Sequence, residues 1–226
     1  MTPQSLWVVI AAYNEATVIA GVVAGVKEAG YPVVVVDDGS RDGTGDAAET
    51  AGAIVVRHPI NLGQGAALQT GIEFALLSGA ETIVTFDGDG QHRVADIAAL
   101  DAALQQHDAD YALGSRFLGD TLNQPLSRRI TLKLATLFTR FTVGMSITDT
   151  HNGLRGMTRR GAQRIRLRQN KMAHASEILH QVAESGLKFV EVPVTIEYSA
   201  YSLAKGQKLS DALTILLDLF ARRLHR

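Results

Sequence analysis

The first half of the chain alternates short, continuous apolar runs with longer segments whose apolar residues recur at helical spacing. The runs lie at residues 7–12, 33–36, 54–56 and 82–86, and the helical segments at 16–29, 45–51, 66–77 and 94–105. Unbroken Val and Ile runs of this kind are typical of parallel strands that are covered on both faces. The pattern therefore predicts an α/β fold in which helices cover both faces of a mostly parallel central sheet.

The second half of the chain is less regular. It predicts a short strand at 111–113, helices at 127–141 and 175–184, a strand at 189–196 interrupted at Pro193, and a closing amphipathic helix at 209–224. No linker-like or low-complexity run divides the 226 residues, so we expect one domain that spans 1–226.

The composition excludes several classes of protein. The 22 Lys and Arg residues nearly balance the 23 Asp and Glu residues, which argues against a nucleic-acid partner. The absence of cysteine excludes disulfide scaffolds, thiolate zinc sites and cysteine nucleophiles. Residues 1–7 do not resemble a signal peptide, and no apolar run reaches the roughly 18 residues of a spanning helix. We therefore expect a soluble or peripheral protein.

Polar residues follow the first three predicted strands, at 12–15, 37–44 and 61–65. Right-handed crossovers bring the carboxyl ends of parallel strands to one edge of the sheet, where ligands of open α/β sheets bind. The adjacent carboxylates of Asp37 and Asp38 suit donors such as a ribose hydroxyl or the N–H of a base. Ser40 and Asp42 fit a structural role in the turn and at the start of the next helix.

The fourth predicted strand ends in the sequence Asp87-Gly88-Asp89-Gly90-Gln91-His92. Carboxylates separated by one glycine can converge on a single hard cation, and Mg²⁺ or Mn²⁺ held in this way completes its shell with substrate phosphates. Asp-Gly-Asp is also a common turn sequence. Its place at the end of a buried strand, beside another acidic loop, favours a metal and diphosphate site. The His residues lack zinc-ligand spacing, so we expect no zinc.

Taken in order, these loops resemble the signature of family 2 glycosyltransferases, which have the GT-A fold. The resemblance rests on Tyr13-Asn14-Glu15, Asp37-Asp38-Gly39-Ser40, Asn61-Leu62-Gly63 and Asp87-Gly88-Asp89. Further motifs are similar to the polyprenol-phosphate sugar transferase branch, which includes dolichyl-phosphate mannose synthase. They are Gly114-Ser115-Arg116, Asp149 with Gly153-Leu154-Arg155, Glu177-Ile178 and Val192-Pro193.

The resemblance implies a role for each matching residue. The implied donor pocket contains Ala12, Tyr13, Glu15, Asp37, Asp38, Gly63, Asp87 and Gly88. The implied ligands of Mg²⁺ or Mn²⁺ are Asp87, Asp89 and Gln91. The implied catalytic residues are Arg116, Asp149 and Arg155, and the acceptor phosphate is expected on Arg116 and Arg128, whose guanidinium groups suit phosphate oxygens.

One loop departs from the branch, which commonly has Arg-x-x-Gly-x-Ser-Lys before its last helix. Here the stretch at 203–208 reads Leu-Ala-Lys-Gly-Gln-Lys, so the arginine is missing. Lys205 or Lys208 is then the candidate cation for the donor diphosphate. A lysine ammonium would act as a point charge, whereas the guanidinium group of arginine is planar and binds phosphate oxygens in a bidentate manner.

The resemblance implies an inverting, metal-dependent transfer of a sugar from a GDP- or UDP-sugar to a polyprenyl phosphate. Residues 1–113 would bind the donor, and 114–226 would bind the acceptor. We expect a cytoplasmic enzyme of cell-envelope synthesis that binds peripherally to the inner face of the membrane. The segments expected to contact the membrane are 130–145 and 209–226. The protein could form a homo-oligomer or bind a small membrane protein. Asp149 would be a general base for a hydroxyl acceptor but only an orienting residue for a phosphate, which is already ionised.

Other functions stay open at this stage. The acceptor could be a saccharide hydroxyl of an envelope polysaccharide, or the chain could be a non-catalytic, membrane-associated nucleotide-binding module. A sugar-nucleotide pyrophosphorylase is disfavoured because 8–20 contains no Gly-rich basic loop. A dehydrogenase is disfavoured because Gly43 and Gly45 do not follow the strand directly.

Overall fold

The fold is described from a computed structural model, which covers residues 6–169, 174–199 and 201–202. Lys205, Lys208 and the predicted closing helix at 209–224 lie outside the described residues. No helix in the described ranges is both long enough and apolar enough to cross a membrane.

The central sheet has seven strands in the order β3-β2-β1-β4-β6-β5-β7. Their bounds are β1 Leu6–Ala12, β2 Val33–Asp37, β3 Ile54–Arg57, β4 Thr82–Asp87, β5 Tyr111–Leu122, β6 Arg155–Thr158 and β7 Phe189–Glu197. Strands β1 to β4 are mutually parallel, as are β5 and β7, whereas β6 runs antiparallel to both of its neighbours. The predicted mostly parallel sheet is confirmed.

Helices cover both faces of this sheet. They are α1 Ile19–Glu28, α2 Thr44–Thr50, α3 Gln64–Leu77, α4 Ala95–Gln106, α5 Leu126–Val143, α6 Arg159–Arg164 and α7 His174–Ser185. Successive strand residues point to opposite faces, so Val8 and Ile10 pack with α1 and α4 in one apolar cluster. Val9 and Val34 pack with α3 and α7 in the other. The runs in β1, β2 and β4 are therefore largely buried on both faces, as expected. The run in β3 is not, because β3 is an edge strand, and Ile54 is 44% exposed.

The second half differs from its prediction in three ways. The four-residue strand β6 and the short helix α6 were not predicted, because neither carries an apolar run. Strand β5 extends to Leu122, past an irregularity in its pairing with β7 between Ser115 and Asp120. Pro193 does not interrupt β7, because β7 is the edge strand, where a residue without an N–H is tolerated.

Candidate active site

A cavity of about 570 Å³ opens where the carboxyl ends of β1, β2 and β4 meet. Twelve of the predicted site residues line it: Ala12, Tyr13, Glu15, Asp38, Gly63, Asp87, Gly88, Asp89, Gln91, Arg116, Arg128 and Arg155. Asp37 and Asp149 are not in its wall. The predicted donor, metal and acceptor residues are thus brought together, apart from these two and from the two lysines outside the described ranges.

Asp38 connects the second loop to the third. Its carboxylate accepts hydrogen bonds from the backbone N–H of Leu62 at 2.9 Å and of Gly63 at 2.7 Å. The Nδ1 atom of His58 lies 2.7 Å from the same carboxylate, and its Nε2 atom lies 3.0 Å from the hydroxyl of Thr70. Asp38 therefore fixes the loop that precedes α3 while it lines the cavity.

Asp37 has a local role instead. Its carboxylate accepts a hydrogen bond from the N–H of Ser40 at 3.0 Å, and it lies so close to Gly45 that a Cβ there would be 2.6 Å from Asp37 Oδ2. The side chains of Ser40 and Asp42 accept hydrogen bonds from Asn14 N and Ala16 N. The second loop is therefore tied to the first, a link that was not predicted. Asp42 also accepts a hydrogen bond from Thr44 N, the first residue of α2, at 3.1 Å.

The carboxylates of Asp87 and Asp89 lie in one acidic corner of the cavity. Asp87 accepts hydrogen bonds from His92 Nε2 at 2.9 Å and from Gln64 Nε2 at 3.3 Å. Burial raises the pKa of Asp87, but the His92 hydrogen bond and nearby positive charges outweigh it and lower the pKa below its ordinary value. Burial, followed by the charge of Asp87, raises the pKa of Asp89 to about 6.

This corner has the chemistry that a hard divalent cation requires. Two carboxylates repel each other at the end of β4, and Gln91 contacts Asp89 through a hydrogen bond of 2.7 Å. The described residues contain no group of three or more His, Asp or Glu side chains that could hold a metal alone. A cation here would thus share its shell with ligand oxygens, as Mg²⁺ or Mn²⁺ does with a diphosphate.

Arg116, which lines the cavity, forms a buried ion pair with Asp149, which lies outside the cavity wall. Both Arg116 N and Arg116 Nε donate to Asp149 Oδ2, at 3.1 and 2.6 Å, and Arg116 Nη1 donates to the hydroxyl of Tyr198 at 2.9 Å. Burial lowers the pKa of Arg116, but Asp149 and Tyr198 more than compensate and raise it above its usual value. The Asp149 carboxylate is thus committed to holding a guanidinium group.

The other two predicted arginines also reach the cavity. Arg155 is buried and donates through Nη2 to the carbonyl oxygens of Thr150 and Ala175, at 3.0 and 3.3 Å. Burial lowers the pKa of Arg155, and the negative charges of Asp87 and Asp149 oppose that change. The guanidinium carbon of Arg128 lies 5.0 Å from the centre of the Tyr198 ring, a distance typical of a cation–π contact.

The sequence model of glycosyl transferase family 2 matches residues 7–166. The chain belongs to glycosyl transferase family 2. It is a hexosyltransferase with the GT-A fold, as the motifs predicted.

Two curated relatives of the family align with nearly the whole chain. The UDP-N-acetylglucosamine–dolichyl-phosphate N-acetylglucosaminyltransferase of Methanococcus voltae is 28% identical, over 99% of this chain and 98% of the relative. The polyprenol monophosphomannose synthase of Mycolicibacterium smegmatis is 29% identical, over 93% of this chain and 84% of the relative. The likeness to the polyprenol-phosphate branch is therefore confirmed.

A solved structure shares the fold. Glucosyl-3-phosphoglycerate synthase of Mycobacterium tuberculosis, crystallised with Mn²⁺, UDP and glucosyl-3-phosphoglycerate, superposes with a TM-score of 0.70. The superposition covers 94% of this chain and 75% of the neighbour, at 17% identity. At that identity the likeness concerns the fold alone.

Several residues that line this cavity or contact its lining residues were not assigned a role from the sequence. They include His58, Gln64, His92, Asn152, His174, Tyr198 and Tyr201, and the Tyr201 hydroxyl lies 2.7 Å from Glu15. His92 was recognised as part of the acidic motif but was given no role. His58 and Tyr198 have no local signal, since they reach the site only through strand order and loop contacts.

Proposed function

We propose that the protein is an inverting, metal-dependent glycosyltransferase that moves a sugar from a GDP- or UDP-sugar to a polyprenyl phosphate. The observation that carries the proposal is one cavity that joins the acidic pair Asp87 and Asp89 to the arginines Arg116, Arg128 and Arg155. The acidic pair suits a metal and a diphosphate, and the arginines suit a second phosphate.

The donor side would use the loops after β1, β2 and β4. Ala12, Tyr13, Glu15, Asp38 and Gly63 line the part of the cavity assigned to the nucleotide. Asp87, Asp89 and Gln91 would hold Mg²⁺ or Mn²⁺, which when bound neutralises the negative charge that grows on the leaving diphosphate. The acceptor oxygen attacks the anomeric carbon as the bond to the diphosphate breaks.

A phosphate acceptor fits the environment of Asp149 better than a hydroxyl does. A hydroxyl needs a base to take its proton, yet the Asp149 carboxylate is buried and bonded to Arg116. An ionised phosphate needs only cationic partners, which arginines supply. We therefore assign Asp149 the role of a positioning residue that orients Arg116. The names of the two curated relatives, a dolichyl-phosphate and a polyprenol enzyme, support the same acceptor class.

Helix α5 provides the surface for peripheral membrane contact. Five apolar side chains on it are between 52% and 78% exposed and recur at spacings of three or four residues: Leu126, Ile130, Leu134, Leu137 and Phe141. The helix carries four cations and no acidic residue. An apolar stripe with basic flanks suits the surface of an anionic bilayer. Arg128, near the start of α5, also lines the cavity, so docking would bring lipid headgroups to its mouth.

Calorimetric titration with UDP and GDP, each with and without Mn²⁺, tests the donor side. Wild type should bind one nucleotide in a metal-dependent manner, and Asp89→Asn should lose that dependence. Asp120→Asn, which makes the same change at an exposed site, is the matched control. Turnover with polyprenyl phosphate and the corresponding nucleotide sugar then tests the acceptor. Absence of nucleotide binding under every condition would contradict the proposal and favour a non-catalytic module.

A further inference from the structure

Unpartnered polar atoms cluster beside the acidic corner of the cavity. Among the described residues, four buried side-chain atoms lack a hydrogen-bond partner: His92 Nδ1, Thr150 Oγ1, His151 Nδ1 and Asn152 Nδ2. Three of these four residues line the cavity. Buried polar groups are nearly always paired, so such a cluster in a cavity wall indicates a ligand that would satisfy it.

Asn152 is held in one orientation by its backbone surroundings. The side-chain oxygen accepts a hydrogen bond from the N–H of Leu154 at 3.0 Å, and only the oxygen of the amide can do this. Neither of the two N–H groups on Nδ2 therefore has a hydrogen-bond partner. Asn152 is 2% exposed, so bulk water does not take the place of a partner.

The segment that carries Asn152 lies directly against the acidic corner. A Cβ atom on the next residue, Gly153, would lie 2.2 and 2.3 Å from the two carboxylate oxygens of Asp87. The hydroxyl of Thr85 on β4 donates to the carbonyl oxygen of Gly153 at 2.7 Å. The unpartnered amide is thus fixed one residue away from the point at which the chain contacts Asp87.

The neighbouring imidazole is uncharged. Burial lowers the pKa of His151 to about 4, and its backbone N–H donates to Asp149 at 3.2 Å. A neutral ring offers one donor and one acceptor, and the Asn152 amide offers donors without charge. Sugar hydroxyls both donate and accept, so they match this pair better than a phosphate, for which the cavity has arginines.

We propose that Asn152 is a specificity-determining residue that donates a hydrogen bond from Nδ2 to a hydroxyl of the donor sugar. His151 supplies a second contact to the same sugar. This inference rests on the proposed function, because it assigns the sugar-reading part of the same donor site. A preference among sugars would follow, since a deoxy sugar that lacks this hydroxyl, or an epimer whose hydroxyl points away from Asn152, leaves the amide unpaired.

The test compares nucleotides with and without a sugar. Wild type, Asn152→Ala and Asn152→Ser are titrated with UDP, UDP-glucose, UDP-N-acetylglucosamine, GDP and GDP-mannose in the presence of Mn²⁺. The variants should bind the free nucleotide as wild type does and lose about five- to tenfold in affinity for the nucleotide sugar, which is typical of one lost hydrogen bond. The kcat/KM ratio between sugars should also move toward one.

The free nucleotide reports on folding and on the metal site. Gln105→Ala, which removes an exposed amide on α4, is the control for amide loss outside the cavity wall. Equal weakening of free nucleotide and nucleotide sugar, or an unchanged sugar contribution, would overturn the assignment of Asn152. So would an effect confined to the KM for polyprenyl phosphate. If the wild-type protein bound no nucleotide, the proposed function itself would be contradicted.

Discussion

The ion pair of Arg116 and Asp149 places two opposite charges in the interior, with side-chain exposures of 6% and 1%. Removing one partner of a buried pair leaves the other charge without compensation. We expect Asp149→Asn to lower the free energy of unfolding by about 3 kcal/mol, a typical cost for breaking such a pair. Urea unfolding at pH 7 measures this change.

Asp46→Ala is the control for the buried pair. Asp46 contacts Arg57 at 2.9 Å, but the two side chains are 85% and 45% exposed, so the loss of Asp46 should change stability little. If Asp149→Asn cost no more than Asp46→Ala, the structural role of Asp149 would be refuted. A variant that keeps its stability but loses turnover would support a general base instead.

The carboxyl of Asp89 predicts an unusual pH dependence for the metal-free protein. Its folded pKa of about 6 lies above the ordinary value of 3.8, so the folded state binds this proton more tightly than the unfolded state does. The associated stabilisation is complete below about pH 4 and is lost as the pH rises through about 6. Asp89→Asn, which has no such proton, should therefore be more stable than wild type at pH 7, by at most the roughly 3 kcal/mol that a shift of this size represents.

Urea unfolding with a chelator from pH 5 to pH 8 tests this order of stabilities. The advantage of Asp89→Asn should grow with pH, whereas Asp120→Asn should track wild type. Added Mn²⁺ should reverse the order, because it binds the folded wild type. If Asp89→Asn were less stable than wild type at pH 7 without metal, burial and repulsion by Asp87 would not be destabilising the ionised Asp89 carboxylate.

Asp37 and Asp38 show the limit of prediction for single residues. The sequence places both at the end of a strand, and both were expected to face a ligand. Strand residues alternate in direction, and the structure brings only Asp38 into the cavity wall. The acidic motif at Asp87 was predictable because strand end and motif coincide, whereas the His58 contact to Asp38 depends on a loop path that no local pattern encodes.

At the scale of single elements, α5 leaves its apolar stripe exposed. If that stripe contacts lipid, replacing part of it should weaken membrane binding without affecting the fold. We expect Leu134→Ser combined with Phe141→Ser to reduce binding to phosphatidylglycerol-containing vesicles about tenfold or more, given the apolar area that two such side chains bury. Vesicle sedimentation measures the binding, and high salt should weaken it further.

Leu77→Ser is the control for the stripe. Leu77 is 89% exposed on α3, so it tests the loss of an exposed apolar side chain outside α5. Thermal unfolding should be nearly unchanged in both proteins, since none of the three residues belongs to the core. Equal vesicle binding by wild type and the α5 variant would refute the membrane surface.

The elements of the first half were predictable because buried parallel strands and amphipathic helices leave strong periodic signals. Strand β6 has none, since its four residues are Arg, Gly, Met and Thr. The extension of β5 beyond Leu113 depends on its pairing with β7. Such a strand is stabilised by a partner about 75 residues away in the chain, and periodicity within a short window cannot reveal that.

At the scale of the whole molecule, β6 joins the two halves. It lies between β4 of the first half and β5 of the second, and it carries Arg155 at its start. The regions proposed for donor and acceptor binding therefore share one continuous sheet and are not two separate bodies. This supports the proposal of a single domain, in which 1–113 and 114–226 differ in role but not in structural independence.

The antiparallel insertion of β6 also limits how the chain can be divided. A fragment that ended at residue 113 would leave β4 without β6, one of its two hydrogen-bonded neighbours, so the backbone groups of residues 82–85 would become an open edge. Open edges of apolar strands recruit other chains. The half proposed to bind the donor is thus not structurally independent: grafted alone into another protein, it would expose this strand edge and tend to self-associate.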